Sequence, residues 1–234
     1  MQKPMLVEKP IVACDMELSR LRSKGVTCNE FIMLATNLRY QRNSIQFKSL
    51  ISKKLEPIRH INIDWKRKID RPIDSWSLNR DIAGGGVLLD WGAHTLDLLD
   101  FFLPQMNFSP NKAVLQSSAE SVEHTASIEL QSKCGVPCNM NLSWQAQKPA
   151  NRELSITVTY DSQEMIWFKS GKILLKDRQK ITEIGEGNHC EMHDFFIEKF
   201  VKPIDQKSET LKSFDISCKV FEQISKAYKI AGLS

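Results

Sequence analysis

Long apolar runs are missing from this 234-residue sequence: its longest, such as Val87-Leu88-Leu89 and Leu98-Leu99, stop far short of the ~20 residues that cross a bilayer. No membrane span is therefore expected. The segment Met1 to Val12 interrupts its short apolar run with charge and two prolines, so it lacks the apolar stretch and small-residue cleavage site of a secretory leader. A cytoplasmic location is expected. An excess of one charge is also missing, because 32 Lys plus Arg stand against 28 Asp plus Glu, a net +4 without clustering. That argues against a nucleic-acid or membrane-surface binder. Cysteine is sparse, with Cys14, Cys28, Cys134, Cys138, Cys190 and Cys218 scattered along a chain long enough to build a core without staples. Free thiols are expected.

What is present, 41% hydrophobic and 26% charged residues, describes an ordinary globular chain. Met5-Leu6-Val7 reads as a short buried strand ended by Pro10, which has no N–H and holds Lys9 extended. Asp15 as an N-cap, Met16, Leu18 and Leu21 between charges, and Gly25 as a stop predict a helix. Phe31 to Thr36 reads as a second strand, and Ile45 to Leu55 as a helix with Ile45, Phe47, Leu50 and Ile51 on one face. This is the rhythm of the tail of a parallel α/β sheet.

From Pro57 the rhythm becomes alternation, with Ile61, Ile63 and Trp65 on one face of 60–66. A helix is predicted from Ala93 to Leu103, stopped by Pro104. Further alternating stretches follow at 125–131, 138–145, 154–160 and 165–175, the last broken by Gly171, with turns at 134–137 and 161–162. They predict a mostly antiparallel sheet with one solvated face. Helical spacing returns with Phe195, Phe196, Phe200 and Val201, and again from Phe214 to Ile230. The expected architecture is an α/β remnant followed by a larger α+β domain.

The stretch most suited to chemistry is Gly84-Gly85-Gly86-Val87-Leu88-Leu89-Asp90-Trp91-Gly92-Ala93-His94-Thr95-Leu96-Asp97. On a helix, Asp90 and His94 share one face, a turn apart, and can act on one ligand atom. Three glycines before them allow close approach of a backbone or a ligand, and a carboxylate beside an imidazole orients the ring and raises its basicity. The alternative is structural, with Asp90 a helix N-terminal charge and His94 a satisfied packing histidine.

Together with Glu8-Lys9-Pro10 at the end of a strand and Asn37-Leu38-Arg39 after the next, this block resembles the Gfo/Idh/MocA oxidoreductases, named for glucose-fructose oxidoreductase and inositol dehydrogenase. Gln2 to Pro10 is similar to the last part of that family's dinucleotide domain, and Asp81 to Asp97 to its G-G-G…D-x-G-x-H-x-x-D block. The resemblance implies residues 1–37 as a remnant of the dinucleotide-binding domain and 38–234 as the catalytic and dimerisation domain. It implies Lys9, Asp90 and His94 as catalytic residues, Glu8, Lys9 and Pro10 as cofactor contacts, and NAD or NADP as cofactor. Arg39 and Trp76 are further candidates for a substrate pocket, with a surface or packing role as the alternative. The implied activity is hydride transfer from a sugar, polyol or related hydroxy compound, with His94 as base, Lys9 stabilising the developing alkoxide and Asp90 fixing a hydroxyl and the ring.

A dinucleotide fold also needs a glycine-rich turn at its first strand, and no G-x-G-x-x-G occurs here. The strand Met5 to Val7 is then expected to lack parallel neighbours and to invite pairing, by a second copy or a partner chain that supplies the missing half. A truncated, non-catalytic substrate-binding or assembly module is the alternative. Cys134 and Cys138 with His189, Cys190 and His193 are better read as hairpin and loop residues than as metal ligands, so no metal is expected. Lys66-Arg67-Lys68, followed by acidic residues, reads as a solvated strand end rather than a phosphate site.

Overall fold

The computed structural model describes residues 5–23, 32–70, 72, 75–117, 122–145, 152–201 and 207–233. Two strands, β1 (Met5–Val7) and β2 (Ile32–Leu34), pair in parallel, with α1 (Asp15–Ser23) between them in sequence. The α/β rhythm is thus realised, although Gly25, the expected helix stop, lies outside the described residues. Asp15 is in the first turn of α1 and not its cap: its carboxylate pairs with Lys229 at 2.6 Å, while Glu17 reaches back to accept the Ala13 N–H at 2.7 Å. A carboxylate returning to an otherwise open N–H is the logic of a capping box.

After a short 3-10 turn (Asn37–Tyr40), α2 spans Arg42–Ser52. It begins and ends three residues before the expected helix, because its inward face starts earlier than the apolar pattern does. Buried Asn43 donates to the Phe168 carbonyl and Ser44 to that of Leu38, each at 2.7 Å, while Ile45 and Leu55 are exposed. Phe47 and Ile51, four apart, are its buried apolar pair.

The larger sheet has eight strands: β3 (His60–Lys66), β4 (Ser109–Ser117), β5 (Glu123–Gln131), β6 (Pro137–Ser143), β7 (Arg152–Thr159), β8 (Gln163–Phe168), β9 (Ile173–Asp177) and β10 (Ile181–Ile184). Their order is β10-β9-β8-β7-β3-β6-β5-β4, antiparallel throughout except for the parallel β3–β6 pair. Alternation places Ile61, Ile63, Ile128, Leu130, Met140, Leu142, Ile156 and Val158 on the inner face, fully buried. Burying each such side chain contributes roughly 1.5–3 kcal/mol. Polar pairs such as Ser127 with Asn141 (3.1 Å) and Lys112 with Glu129 (2.8 Å) occupy the exposed side.

The inner face is covered by α2, by α4 (Ala93–Phe102) and by α6 (Lys207–Ile230). Rings lock the layers: Phe47 meets Phe102 at 5.0 Å, and Phe102 meets Trp167 at 5.9 Å. Two further helices are α3 (Arg80–Ala83), a single turn, and α5 (Met192–Val201). The alternation did not foretell β4 or β10. As an edge strand, β4 tolerates Pro110 near its start, which costs a ladder bond only at the sheet's border. Among the described residues no helix is long and apolar enough to cross a membrane.

Candidate active site

The glycine run that precedes Asp90 is folded around another part of the protein. Gly84 caps α3 in the left-handed region (φ 75°). At Gly86 a side chain is excluded, since a Cβ there would lie 2.1 Å from the Glu123 carbonyl oxygen. The buried Glu123 carboxylate accepts the Gly86 N–H (2.9 Å), the Leu88 N–H (3.0 Å) and the Tyr228 hydroxyl (2.8 Å). Burial beside Glu123 pushes the Tyr228 phenol well above its ordinary pKa, so that hydroxyl stays a donor. Of the two partners the sequence left open, backbone or ligand, Gly84 and Gly86 approach backbone, while Gly85 faces the Tyr228 side chain.

From this anchor the chain enters one turn of π-helix, Leu88–Gly92, which runs directly into α4. A widened turn of this kind often marks a functional position, and Asp90 sits in it. The Asp90 carboxylate accepts from the Lys9 ammonium at 2.6 Å, and the same nitrogen donates to the Asp90 carbonyl at 2.8 Å. Lys9 follows β1 across a cis peptide to Pro10. Its side chain is only 16% exposed and that of Asp90 37%. Two segments 81 residues apart in sequence are thereby joined by one ion pair.

That ion pair stands between two clefts. One, of about 570 Å³, is lined by Trp65, Arg67, Asp90, Trp91, His94 and Lys169 among others. The other, of about 310 Å³, is lined by Lys9, Pro10, Trp76, Gly85, Leu89 and Asp90 among others. Trp65 and Trp91 stack at 4.2 Å as one wall of the first.

His94 is half-buried, and its Nδ1, itself buried, has no hydrogen-bond partner among the described residues, so it is not a satisfied packing histidine. Burial, reinforced by the Lys9 charge and opposed by Asp90, lowers its pKa from 6.5 to about 3. The ring is therefore neutral and has an unused nitrogen at neutral pH. An unfolded chain binds a proton on this ring below about 6.5 that the folded chain refuses until about 3. Stability is accordingly present in full above pH 6.5 and declines as pH falls through that window, by about 1.4 kcal/mol per pH unit. Urea unfolding of the wild type and of His94→Asn between pH 6 and 4 should show this slope in their difference; parallel curves would contradict it.

The sequence pattern of the GFO/IDH/MocA C-terminal domain matches residues 46–162. The chain belongs to the GFO/IDH/MocA oxidoreductase family. It is 27% identical over 176 residues, 65% of its own length, to a candidate UDP-kanosamine synthase oxidoreductase subunit of Amycolatopsis mediterranei, and spans 47% of that protein. Solved structures with the same fold include an oxidoreductase domain protein of Kribbella flavida (TM-score 0.78, 16% identity, 98% of this chain and 72% of that one). An aldose-aldose oxidoreductase of Caulobacter crescentus complexed with glycerol gives 0.73 at 19% identity, covering 98% and 70%. An inositol dehydrogenase homologue of Azotobacter vinelandii complexed with NAD+ gives 0.69 at 16%, covering 99% and 64%.

The residues read from the GFO/IDH/MocA motifs do not all converge. Lys9, Asp90 and His94 come together, Pro10 and Trp76 share the smaller cleft, and Glu8 is exposed. Arg39 lines neither cleft. Its guanidinium is forked onto the buried Asp97 carboxylate, with Nε to Oδ2 at 2.7 Å and a second, shorter bond from Nη2 to Oδ1. This pair ties the turn before α2 to α4 and occupies the guanidinium fork with a protein carboxylate. A lysine cannot reproduce two parallel bonds, so Arg39→Lys is expected to cost about 2 kcal/mol and leave ligand affinity unchanged. Thermal unfolding and a ligand titration of the variant would check both halves; weakened binding at unchanged stability would return Arg39 to the pocket.

Sequence reasoning missed Glu123, Arg67 and Lys169. Glu123 opens β5 ahead of its alternating stretch, and Lys169 precedes the Ser170-Gly171 turn, so neither carries a local signal. Cys134 lies in the β5–β6 turn and Cys190 bridges to Gln41, and among the described residues no three His, Cys, Asp or Glu side chains cluster as a metal site would.

Proposed function

We infer that this chain contributes the reacting centre of a nicotinamide-dependent oxidoreductase acting on a sugar, polyol or related hydroxy compound. Residues 1–37 are then the end of a dinucleotide-binding domain and 38–234 the catalytic domain. The observation that carries the reading is the Lys9–Asp90 ion pair, with His94 in the cleft on one side and Pro10 and Trp76 in the cleft on the other. The inositol dehydrogenase homologue, complexed with NAD+, and the aldose-aldose oxidoreductase, complexed with glycerol, support it by likeness of fold.

Lys9 and Pro10 suit the reacting end of a dinucleotide, and Trp76, read from the sequence as a substrate residue, lines the same cleft and is assigned with them. For the dinucleotide's phosphates the described residues offer no glycine-rich cradle, since Gly84 caps α3 and Gly86 is held by Glu123. A nicotinamide held there would supply the acceptor for the carbinol hydride. The hydroxyl proton passes to the His94 ring, which burial keeps neutral at pH 7. The Lys9 ammonium stabilises the negative charge that grows on the substrate oxygen, and Asp90 holds that ammonium in place at 2.6 Å.

The test is a titration of the chain with NADH and NADPH, read through its five tryptophans, of which Trp76 lines the cofactor cleft. The reading predicts saturable quenching that Trp76→Phe reduces. Quenching that never saturates, or that ignores Trp76, would remove the cofactor from this cleft.

A further inference from the structure

We propose that the substrate carries an anionic group, a phosphate or a carboxylate, and that Arg67 and Lys169 recognise it. The proposal rests on the reading of Lys9, Asp90 and His94 as the reacting centre, since it places the anion in the same cleft.

Arg67 and Lys169 reach that cleft from different strands, just beyond the ends of β3 and β8. Both are fixed by continuation of the sheet ladder: the Arg67 N–H donates to the Ser143 carbonyl at 2.9 Å and the Lys169 N–H to that of Leu154 at 3.0 Å. Arg67 belongs to the basic run expected to be a solvated strand end. Its neighbours behave that way, Lys66 pairing with Asp64 and Lys68 with Asp70. Neither Arg67 nor Lys169 makes an ion pair among the described residues.

The acids in the cleft are already engaged. Asp90 holds Lys9, and Glu153 accepts the Ser170 N–H at 2.7 Å and its hydroxyl at 2.8 Å. The Lys169 ammonium instead lies over the Trp65 ring, 4.7 Å from its centroid. Burial, and after it the nearby Arg67 charge, lower the Lys169 pKa against the opposing pull of Asp90 and Glu153. An oxyanion between them relieves that repulsion, and a guanidinium fork matches phosphate or carboxylate geometry. The cleft's volume of about 570 Å³ is within the ~300–1,000 Å³ of small-molecule sites.

The test is calorimetric titration of the full chain with glucose 1-phosphate, glucuronate and glucose at low salt. At least one anionic probe should bind about tenfold tighter than glucose, and which one does so identifies the group. Arg67→Gln and Lys169→Gln, checked for folding by circular dichroism, should each lose most of that preference without changing glucose affinity. Equal affinity for the three probes, no binding of any, or preference retained in both variants would overturn the proposal. His94→Ala separates this from the reaction reading, because it should keep the anion preference whatever it does to turnover.

Discussion

His94→Ala should lower turnover by about a thousandfold while the chain stays folded, within the range that a positioned general base contributes. The expectation follows from what surrounds the ring. Its Nδ1 is buried without a partner among the described residues, it shares a cleft with Asp90, and burial with the Lys9 charge keeps it unprotonated down to about pH 3. A histidine whose only task was packing would be expected to satisfy that nitrogen. Removing a packing ring would lower the melting temperature and leave the rate per folded molecule alone, so measuring both decides between the roles. Because kcat/KM reports ionisations of the free protein, its pH profile should show no His94 inflection near 6.5. Lys9→Met should cost about 100-fold or more, the loss of one donor aimed at a developing oxyanion. The double variant should fall little further than the worse single one, since the two groups act in one step.

Glu123→Ala is expected to destabilise the fold by about 4 kcal/mol, although Glu123 touches neither cleft residue directly. Its carboxylate serves the Gly86 N–H, the Leu88 N–H and the Tyr228 hydroxyl, all buried. Stranding a buried donor costs about 1–3 kcal/mol, and alanine strands three. Glu123→Gln retains an accepting oxygen of nearly the same shape and should cost less than half as much. Gly86→Ala should be at least as damaging as Glu123→Ala, because its Cβ would meet the Glu123 carbonyl at 2.1 Å and neither backbone can yield cheaply. Urea unfolding of the three variants checks the ranking. A cost under 1 kcal/mol for alanine would mean that Tyr228 and the two amides find other partners.

The same segment shows how far the sequence was readable. Alternation located β3, β5, β6, β7, β8 and β9 because one face of each is core and the other solvent, which leaves a period of two. The edge strand β4 and the short β10 escaped, since exposed borders relax that period. Spacing placed Asp90 and His94 on one side of a helical turn, and the E-K-P resemblance pointed to Lys9. The ion pair joining them needs the fold to bring β1 beside the π-helical turn. Arg39 stayed open in the sequence because its residue type suits a substrate as well as it suits Asp97, and only the fold brings that carboxylate to it. Lys169 could not be foreseen, since its cleft exists only once β3, β7 and β8 are side by side.

The central claim is that a substrate carbon between His94 and Lys9 gives its hydride directly to nicotinamide. The most direct measurement uses a substrate deuterated at the carbinol carbon, with NAD+ or NADP+ and the wild-type chain, and mass spectrometry of the reduced cofactor. The account predicts deuterium on the nicotinamide ring with wild type and almost none with His94→Ala. Unlabelled reduced cofactor, or label transfer undiminished in His94→Ala, would contradict it.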